Sequence, residues 1–240
     1  MSFDLERWSA ADAIGDQVIC AGAAIDEMVA YQSIVPSRWG KTFARVALAA
    51  FDHVYDGYTI PTALEIGTAH GMSSSVLALC GFHVDTWDVK LRQFQAPLWK
   101  ALGVDHAIKS YMRQGPLPVN RYSVSFIDAL HDIAHLEADW TEVAPLLHQS
   151  SVAIFDDIRF SKETKELFLS IPGAIDCDRF GYAVLGPRRR DSASPSENSL
   201  SASGEPIVGA SKTHGLDLMP PVNSITCRDC RKTYHQSPPA

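Results

Sequence analysis

The stretch Ala63-Leu64-Glu65-Ile66-Gly67-Thr68-Ala69-His70-Gly71-Met72-Ser73-Ser74-Ser75 decides the fold. It reads as a short apolar strand, a tight glycine turn and the start of a helix. A strand that passes into a helix through glycines lets backbone approach a ligand at the strand's carboxyl end. The helix amides then point into the same crevice. Glu65 stands at the strand tip, where a carboxylate accepts hydrogen bonds from a cationic or hydroxyl-bearing ligand. Gly67, Thr68, Ala69, Gly71 and Ser73 are the other ligand-facing candidates of this turn.

Two phosphate-binding patterns fit this turn poorly. The dinucleotide fingerprint wants glycines at its first, third and sixth places, and the chain has Gly67, Ala69 and Met72 there. A P-loop ends in Gly-Lys-Ser/Thr, whereas here Gly71-Met72-Ser73 follows. What remains is Glu-x-Gly-x-x-x-Gly with a helix behind it.

Outward from this turn the chain alternates strand and helix. Before it, Leu5 to Tyr31 is alanine-rich with apolar residues at helical spacing. Ser37 can cap a second helix after Pro36, with Phe43, Val46, Ala47, Phe51 and Val54 as its apolar stripe. Arg38, Lys41 and Arg45 lie off that stripe and read as a solvated face rather than a substrate site.

After the turn, Ser73 to Cys80 continues as a helix and Gly81 stops it. Phe82 to Lys90 is a second strand. An acid at the tip of such a strand is the usual partner of ribose hydroxyls. Asp88 and Asp85 both qualify, and strand length favours Asp88 slightly. Leu91 to Leu102 is a crossover helix with Pro97 in its middle. A short third strand follows over His106 to Met112.

The pattern then sharpens. Tyr122 to Ile127 is a strand ending in Asp128, Ile133 to His148 is a helix, and Ser151 to Phe155 is a strand ending in Asp156-Asp157. Strand, helix, strand is a βαβ unit with parallel strands. The acidic tips therefore emerge at the edge where Glu65 lies. Lys162 to Leu169 is helical. Ala174 to Cys177 and Tyr182 to Leu185 make a terminal hairpin through Gly181.

Clustered carboxylates repel and need a counter-charge. A divalent cation is one natural solution, since magnesium takes oxygen ligands and keeps waters for substrate oxygens to replace. Asp128, Asp156 and Asp157 are the candidate ligands. His131 is a candidate proton acceptor because imidazole titrates near neutrality; a loop histidine touching cofactor is the plainer alternative. Asp132 reads as a helix N-cap and His135 as structural.

Together these motifs resemble class I S-adenosylmethionine-dependent methyltransferases, over about Ala63 to Gly186. Glu65-Ile66-Gly67-Thr68-Ala69-His70-Gly71 matches the family's first motif, and Phe155-Asp156-Asp157 matches the fifth-strand motif of a compact group of metal-dependent O-methyltransferases, of the catechol and the sugar or macrolide types. That group often reads Asp-Gly-Asp-His-Ser-Tyr after the fourth strand. Here Asp128-Ala129-Leu130-His131-Asp132-Ile133 lacks the second acid and the aromatic.

The resemblance implies an α/β, Rossmann-like, doubly wound and mostly parallel sheet with an antiparallel last strand and a helical N-terminal extension. It implies S-adenosylmethionine as cofactor, Mg2+ or another divalent cation holding an acceptor hydroxylate, and Asp128 and His131 as catalytic residues. The expected organisation is a helical extension over residues 1–60, a core over 61–187 and a disordered Ser/Pro-rich tail over 188–240. The alternatives are a different enzyme on the same scaffold, hydroxylase-like or nucleotide-sugar-modifying, and a catalytically silent binding module.

The bulk numbers bound the partners. The 240 residues are 46% hydrophobic and 20% charged, a globular composition. The formal charge of -7 argues against a general nucleic-acid binder and favours a small-molecule acceptor. Oligomeric state is unreadable, which leaves room for a homodimer. Cys20, Cys80, Cys177, Cys227 and Cys230 form no disulfide framework, so a reducing, cytoplasmic setting is expected. Cys227-Arg228-Asp229-Cys230 is half a zinc pattern without its second pair. No secretory signal or membrane span is read.

Overall fold

The computed structural model describes residues 5–25, 37–128, 132–177, 179–186, 225–226 and 233–234. Two helices, α1 (Leu5–Ala23) and α2 (Ser37–Val54), precede the sheet. They approach closely where Gly15 meets Gly40; a Cβ on Gly15 would stand 2.5 Å from the Lys41 backbone nitrogen. The charged residues flanking this crossing are not merely solvated. Arg45 pairs with Asp12 through Nε and Nη2, both at 2.8 Å, and its guanidinium lies 4.1 Å from the Trp8 ring centroid. Lys41 pairs with Asp16 at 3.1 Å, and Arg7 with Asp52. The basic face of α2 therefore binds it to α1.

The strands and helices that follow are β1 (Thr62–Ile66), α3 (Met72–Leu79), β2 (His83–Asp88), α4 (Gln95–Ala101), β3 (Ile108–Met112), β4 (Tyr122–Ile127), α5 (Ile133–Val143), β5 (Leu147–Phe155), α6 (Lys162–Ser170), β6 (Ala174–Cys177) and β7 (Phe180–Val184). Seven strands form one sheet in the order β3-β2-β1-β4-β5-β7-β6. The first five run parallel, and β7 is antiparallel to both of its neighbours. This is the expected doubly wound sheet with a reversed strand at its end.

Strands buried on both faces read as continuous apolar runs, and β4 is buried at every residue. On one face α2 packs Phe43 against Phe126 and Phe180, with ring centroids 4.4 and 5.3 Å apart. On the other, Phe155 meets Trp140 of α5 and Phe168 of α6 edge-on, both at 5.4 Å.

Proline placement accounts for two departures from the expected boundaries. The crossover helix begins at Gln95 rather than Leu91. Pro97 thus falls in its first turn, where its missing N–H needs no helical partner. The helix expected to reach His148 ends at Val143, and Ala144–Leu146 forms a 3-10 turn containing Pro145. Leu147 to Ser150 then belong to β5.

The first helix, expected to run to Tyr31, ends at Ala23; residues 26–36 lie outside the described residues. Of the segment read as a tail, Ile225–Thr226 pairs antiparallel with Thr233–Tyr234. Cys227 and Cys230 lie outside the described residues. Among the described residues no helix is long and apolar enough to cross a membrane.

Candidate active site

The backbone ladders run one residue past the strand tips and set the site's spacing. Gly67 N donates to Trp87 O at 2.8 Å, Asp128 N to Ile66 O at 2.8 Å, and Asp156 N to Ile127 O at 3.1 Å. Gly67, Asp128 and Asp156 therefore stand side by side along one sheet edge, where ligands of open α/β sheets bind.

The glycine turn is fastened on both sides. Gly67 and Gly71 have positive φ, 95° and 78°, and Ala69 joins them at 42°. A residue other than glycine in that region is uncommon and costs about 1–3 kcal/mol unless its surroundings hold it. Here Ala69 N donates to Asp88 Oδ2 at 2.7 Å, and Ala69 O accepts from Gln95 Nε2 at 2.8 Å. Gly71 N donates to Thr68 O at 2.7 Å, and Gly71 O accepts from Trp99 Nε1 at 3.0 Å. Thr68 Oγ1 lies 2.5 Å from Thr86 Oγ1.

Two cavities open from this edge. The larger, about 530 Å³, is bordered by Gly67, Ala69, Trp87, Asp88, Arg113 and Asp128, among others. Trp87 stacks on Tyr111 with ring centroids 4.5 Å apart. Asp88 reaches this cavity while its Oδ1 accepts from Lys90 N at 2.9 Å. Beyond it, Arg113 ties β3 to α5 through Asp139 at 2.6 Å and Glu142 at 2.5 Å. Two buried donors at its wall, Trp87 Nε1 and Arg92 Nε, have no hydrogen-bond partner. Unmet buried donors are costly. The volume falls within the range of small-molecule sites.

The smaller cavity, about 40 Å³, is bordered by Trp39, Thr68, Ser73, Asp128, Asp156 and Arg179, among others. Ala69 and Asp128 border both cavities. Asp128 is thus surrounded by protein yet accessible from within. Burial pushes its carboxyl well above the usual range, and the Asp156 charge adds to the rise.

The acid cluster has a counter-charge inside the chain. Arg179, at the start of the terminal hairpin's return strand, donates to Asp156 through Nε at 2.6 Å and Nη2 at 2.8 Å. Arg179 Nη2 also reaches Asp157 Oδ2 at 3.1 Å, and Nε lies 3.0 Å from Asp157 Oδ1. Burial alone would lower the Arg179 pKa. Its bonds to Asp156 and the charges of Asp156, Asp157 and Asp128 outweigh that and raise it.

Asp156 accepts two further bonds, from Asp157 N to Oδ1 at 2.8 Å and from Trp39 Nε1 to Oδ2 at 3.4 Å. An ionised carboxylate has about four acceptor sites, and Asp156 has four donors. The donor set does not fit a divalent cation. Among the described residues no group of three or more His, Cys, Asp or Glu side chains is arranged to hold a metal. The grouping of Asp128, Asp156 and Asp157 expected from the sequence is present, but arginine fills the centre of it.

The other expected residues divide. Asp88 reaches the larger cavity; Asp85 does not, and lies mid-strand accepting from the Tyr122 hydroxyl at 3.0 Å. Burial and Asp85 together push that hydroxyl up to about 12. Thr68 and Ser73 border the smaller cavity. Gly71 borders neither, and its missing side chain makes room for Trp99.

Glu65 is fully buried, borders neither cavity and accepts from the Ser74 hydroxyl. Burial raises its pKa against the lowering effect of the Ser73, Ser74 and Thr86 hydroxyls. It therefore ties β1 to the start of α3 from behind the turn. His131 lies outside the described residues. Asp132 caps α5, as expected, accepting from His135 N at 3.1 Å. Sequence reasoning missed Arg179, Trp39, Arg113 and Asp139. None stands in a motif; only the unbalanced charge of the acid cluster signalled that some cation was needed.

No protein-family model matches the chain, and no curated protein sequence matches it. Solved structures do. The chain is similar to the O-methyltransferase TomG from Streptomyces achromogenes, involved in tomaymycin synthesis and solved in complex with SAM. The TM-score is 0.52 at 17% identity, over 77% of this chain and 100% of that one. It is also similar to cofactor-bound Rv0187 from MTB, with a TM-score of 0.49 at 20% identity over 76% of this chain and 90% of that one. MycE from the mycinamycin pathway, solved with Mg and SAH, matches at a TM-score of 0.46 and 11% identity, over 63% of this chain and 50% of that one. The sheet order, the reversed strand and the likeness to TomG agree: the chain has a Rossmann-like fold of the kind found in that O-methyltransferase.

Proposed function

We propose that the protein transfers a methyl group from S-adenosylmethionine to an oxygen of a small molecule. The observation that carries this reading is the pair of adjoining cavities with Asp128 and Ala69 in the wall of both. A donor held in the larger and an acceptor group entering the smaller would meet at Asp128.

When bound, S-adenosylmethionine supplies a methyl carbon made electrophilic by its sulfonium; attack by the acceptor oxygen forms the C–O bond, breaks the C–S bond and leaves S-adenosylhomocysteine. The chain's own residues do the positioning. Asp88 is placed to receive a ribose hydroxyl, as acids at this strand tip do. Trp87 and Tyr111 offer an aromatic face. The Asp128 carboxylate borders both cavities and is the group placed to take the acceptor's proton. The small cavity admits a functional group about the size of a few waters, which suits the tip of an acceptor. Holding both reactants in line is the larger part of the rate enhancement for such a displacement.

Calorimetric titration of S-adenosylmethionine into the purified protein, with magnesium and then with EDTA, tests the reading. Stoichiometric binding is expected. Absence of binding by folded protein in both conditions would remove the methyltransferase reading and favour another enzyme or a silent module on this scaffold.

A further inference from the structure

We propose that Arg179 takes the place of a divalent cation at the acceptor site, so that the acid pair Asp156–Asp157 clamps a guanidinium instead of binding metal. The site's identity as an acceptor site rests on the methyltransferase reading. The geometry of the clamp does not.

Three observations converge. First, the arginine is held by both acids through the same two nitrogens, Nε and Nη2, at 2.6 to 3.1 Å. Planar, multidentate pairing of this kind suits guanidinium and is unavailable to lysine. Second, Asp156 is saturated. Its side chain is fully buried, and Arg179, Trp39 and the Asp157 amide occupy its acceptor sites. A metal would have to displace the guanidinium, because magnesium demands near-octahedral oxygen ligands at about 2.0–2.1 Å.

Third, the clamp is built into the fold. Asp157 holds a left-handed φ of 49° two residues past the end of β5. The Ile158 amide donates to Arg179 O at 3.2 Å, so the backbone that carries the acids also fixes the arginine's backbone.

Arg179 borders the small cavity, and its side chain is 39% exposed. Its Nη1 donates to none of the described residues. That N–H is available to an acceptor oxygen. A fixed guanidinium beside an ionising hydroxyl favours the oxyanion, as an opposite charge within a few ångströms does. It therefore supplies the two services a divalent ion would provide, charge balance and a hold on the acceptor oxygen.

Electron paramagnetic resonance of Mn2+ added to EDTA-stripped protein tests this without any acceptor in hand. Wild type is expected to leave the free-ion signal intact at equimolar metal. Arg179→Met keeps an unbranched apolar stem in place of the arginine's and removes the guanidinium with its charge. It is expected to bind one Mn2+ per chain, on the order of tenfold or more tighter than wild type, the scale on which groups around a metal site act. Asp156→Asn added to that variant should abolish the gain.

A stoichiometric Mn2+ site in wild type that Asp156→Asn removes would overturn the proposal. So would folded Arg179→Met that gains no Mn2+ affinity. Should Arg179→Met fail to fold by circular dichroism, the wild-type titration decides alone: a stoichiometric site lost in Asp156→Asn refutes the clamp, and no site supports it. S-adenosylhomocysteine titrated into the same metal-free wild type reports separately on the methyltransferase reading. Its failure to bind would leave the clamp standing and remove the acceptor's identity.

Discussion

At the β1–β2 side of the crevice, the ligand-facing atoms belong to one short run of chain, from Gly67 to Arg92. Their positions follow from a single turn and the ladder bond of Gly67 to Trp87. At the β4–β5 side, Asp128, Asp156 and Asp157 come from two strand tips, and Arg179 arrives from a hairpin beyond them. The first side is local and opens onto a cavity. The second is assembled from afar, and its one guanidinium offsets part of the charge of its acids. The first is built around open space, whereas the second is tied together by its own side chains.

Substitutions should separate the two sides, and the largest effect is expected where the ligand is needed. Asp88→Ala removes an acceptor for a ribose hydroxyl and the partner of the Ala69 amide. Hydrogen bonds to charged groups are worth about 1.5–3 kcal/mol, so S-adenosylmethionine should bind roughly 10- to 150-fold more weakly. Calorimetry reads this directly. Asp85→Ala, three residues earlier and bonded to Tyr122 instead, should leave that affinity within about twofold, as sites with no shared partners are nearly independent. Equal losses from both would break the distinction between strand tip and mid-strand.

Arg179→Met tests the other side through stability. It leaves the buried Asp156 without its main partner, which costs about 1–3 kcal/mol. Arg179 is partly exposed, so the lower half of that range applies. At about 2–4 °C per kcal/mol for a chain of this size, the melting temperature should fall by roughly 2–8 °C, and Mn2+ should restore part of it by binding the folded form. Gly71→Ala is expected to cost at least as much. The new Cβ would meet Trp99 Nε1 at 2.8 Å with φ at 78°. The left-handed conformation alone costs about 1–2 kcal/mol. Because Gly71 borders neither cavity, affinity at saturating ligand should follow stability and nothing more.

The same division explains what could be read from the sequence. Strand, turn and helix around Gly67 are encoded by neighbouring residues, so β1, α3, β2 and the tip acid Asp88 were legible. The strand, helix, strand alternation also foretold the parallel sheet, while the reversed strand was expected only from the family resemblance. The helix limits at Gln95 and Val143 were missed because Pro97 was read as a mid-helix interruption and Pro145 was not weighed at all. Glu65 looked ligand-facing because a strand tip is usually open. Its burial depends on Ser74 and on the Thr86 register across the sheet, which sequence does not display. Arg179 was invisible for the same kind of reason. Its partners lie 22 and 23 residues away, and nothing local separates it from Arg159, which binds Asp176 at 2.9 Å.

The smallest expected effect addresses the residue the two sides share. Asp128 faces both cavities, and burial raises its carboxyl pKa, with Asp156 adding to the rise. A carboxyl whose folded pKa lies above its unfolded value of 3.8 binds its proton more tightly when folded. It therefore favours the folded state below that value, and loses this contribution as pH climbs through the folded pKa. Asp128→Asn keeps the shape and removes the charge. Its melting temperature should match wild type near pH 4 and exceed it by a growing margin as pH climbs toward the folded pKa, levelling off beyond it, by about 2–4 °C for each kcal/mol of relieved repulsion. Methyl transfer should fall at every pH, since Asn cannot take a proton. A variant less stable than wild type at high pH would mean that the ionised Asp128 is stabilised by Arg179 across the cluster. The guanidinium would then serve all three acids rather than the Asp156–Asp157 pair, and the boundary between the two sides would move to include Asp128.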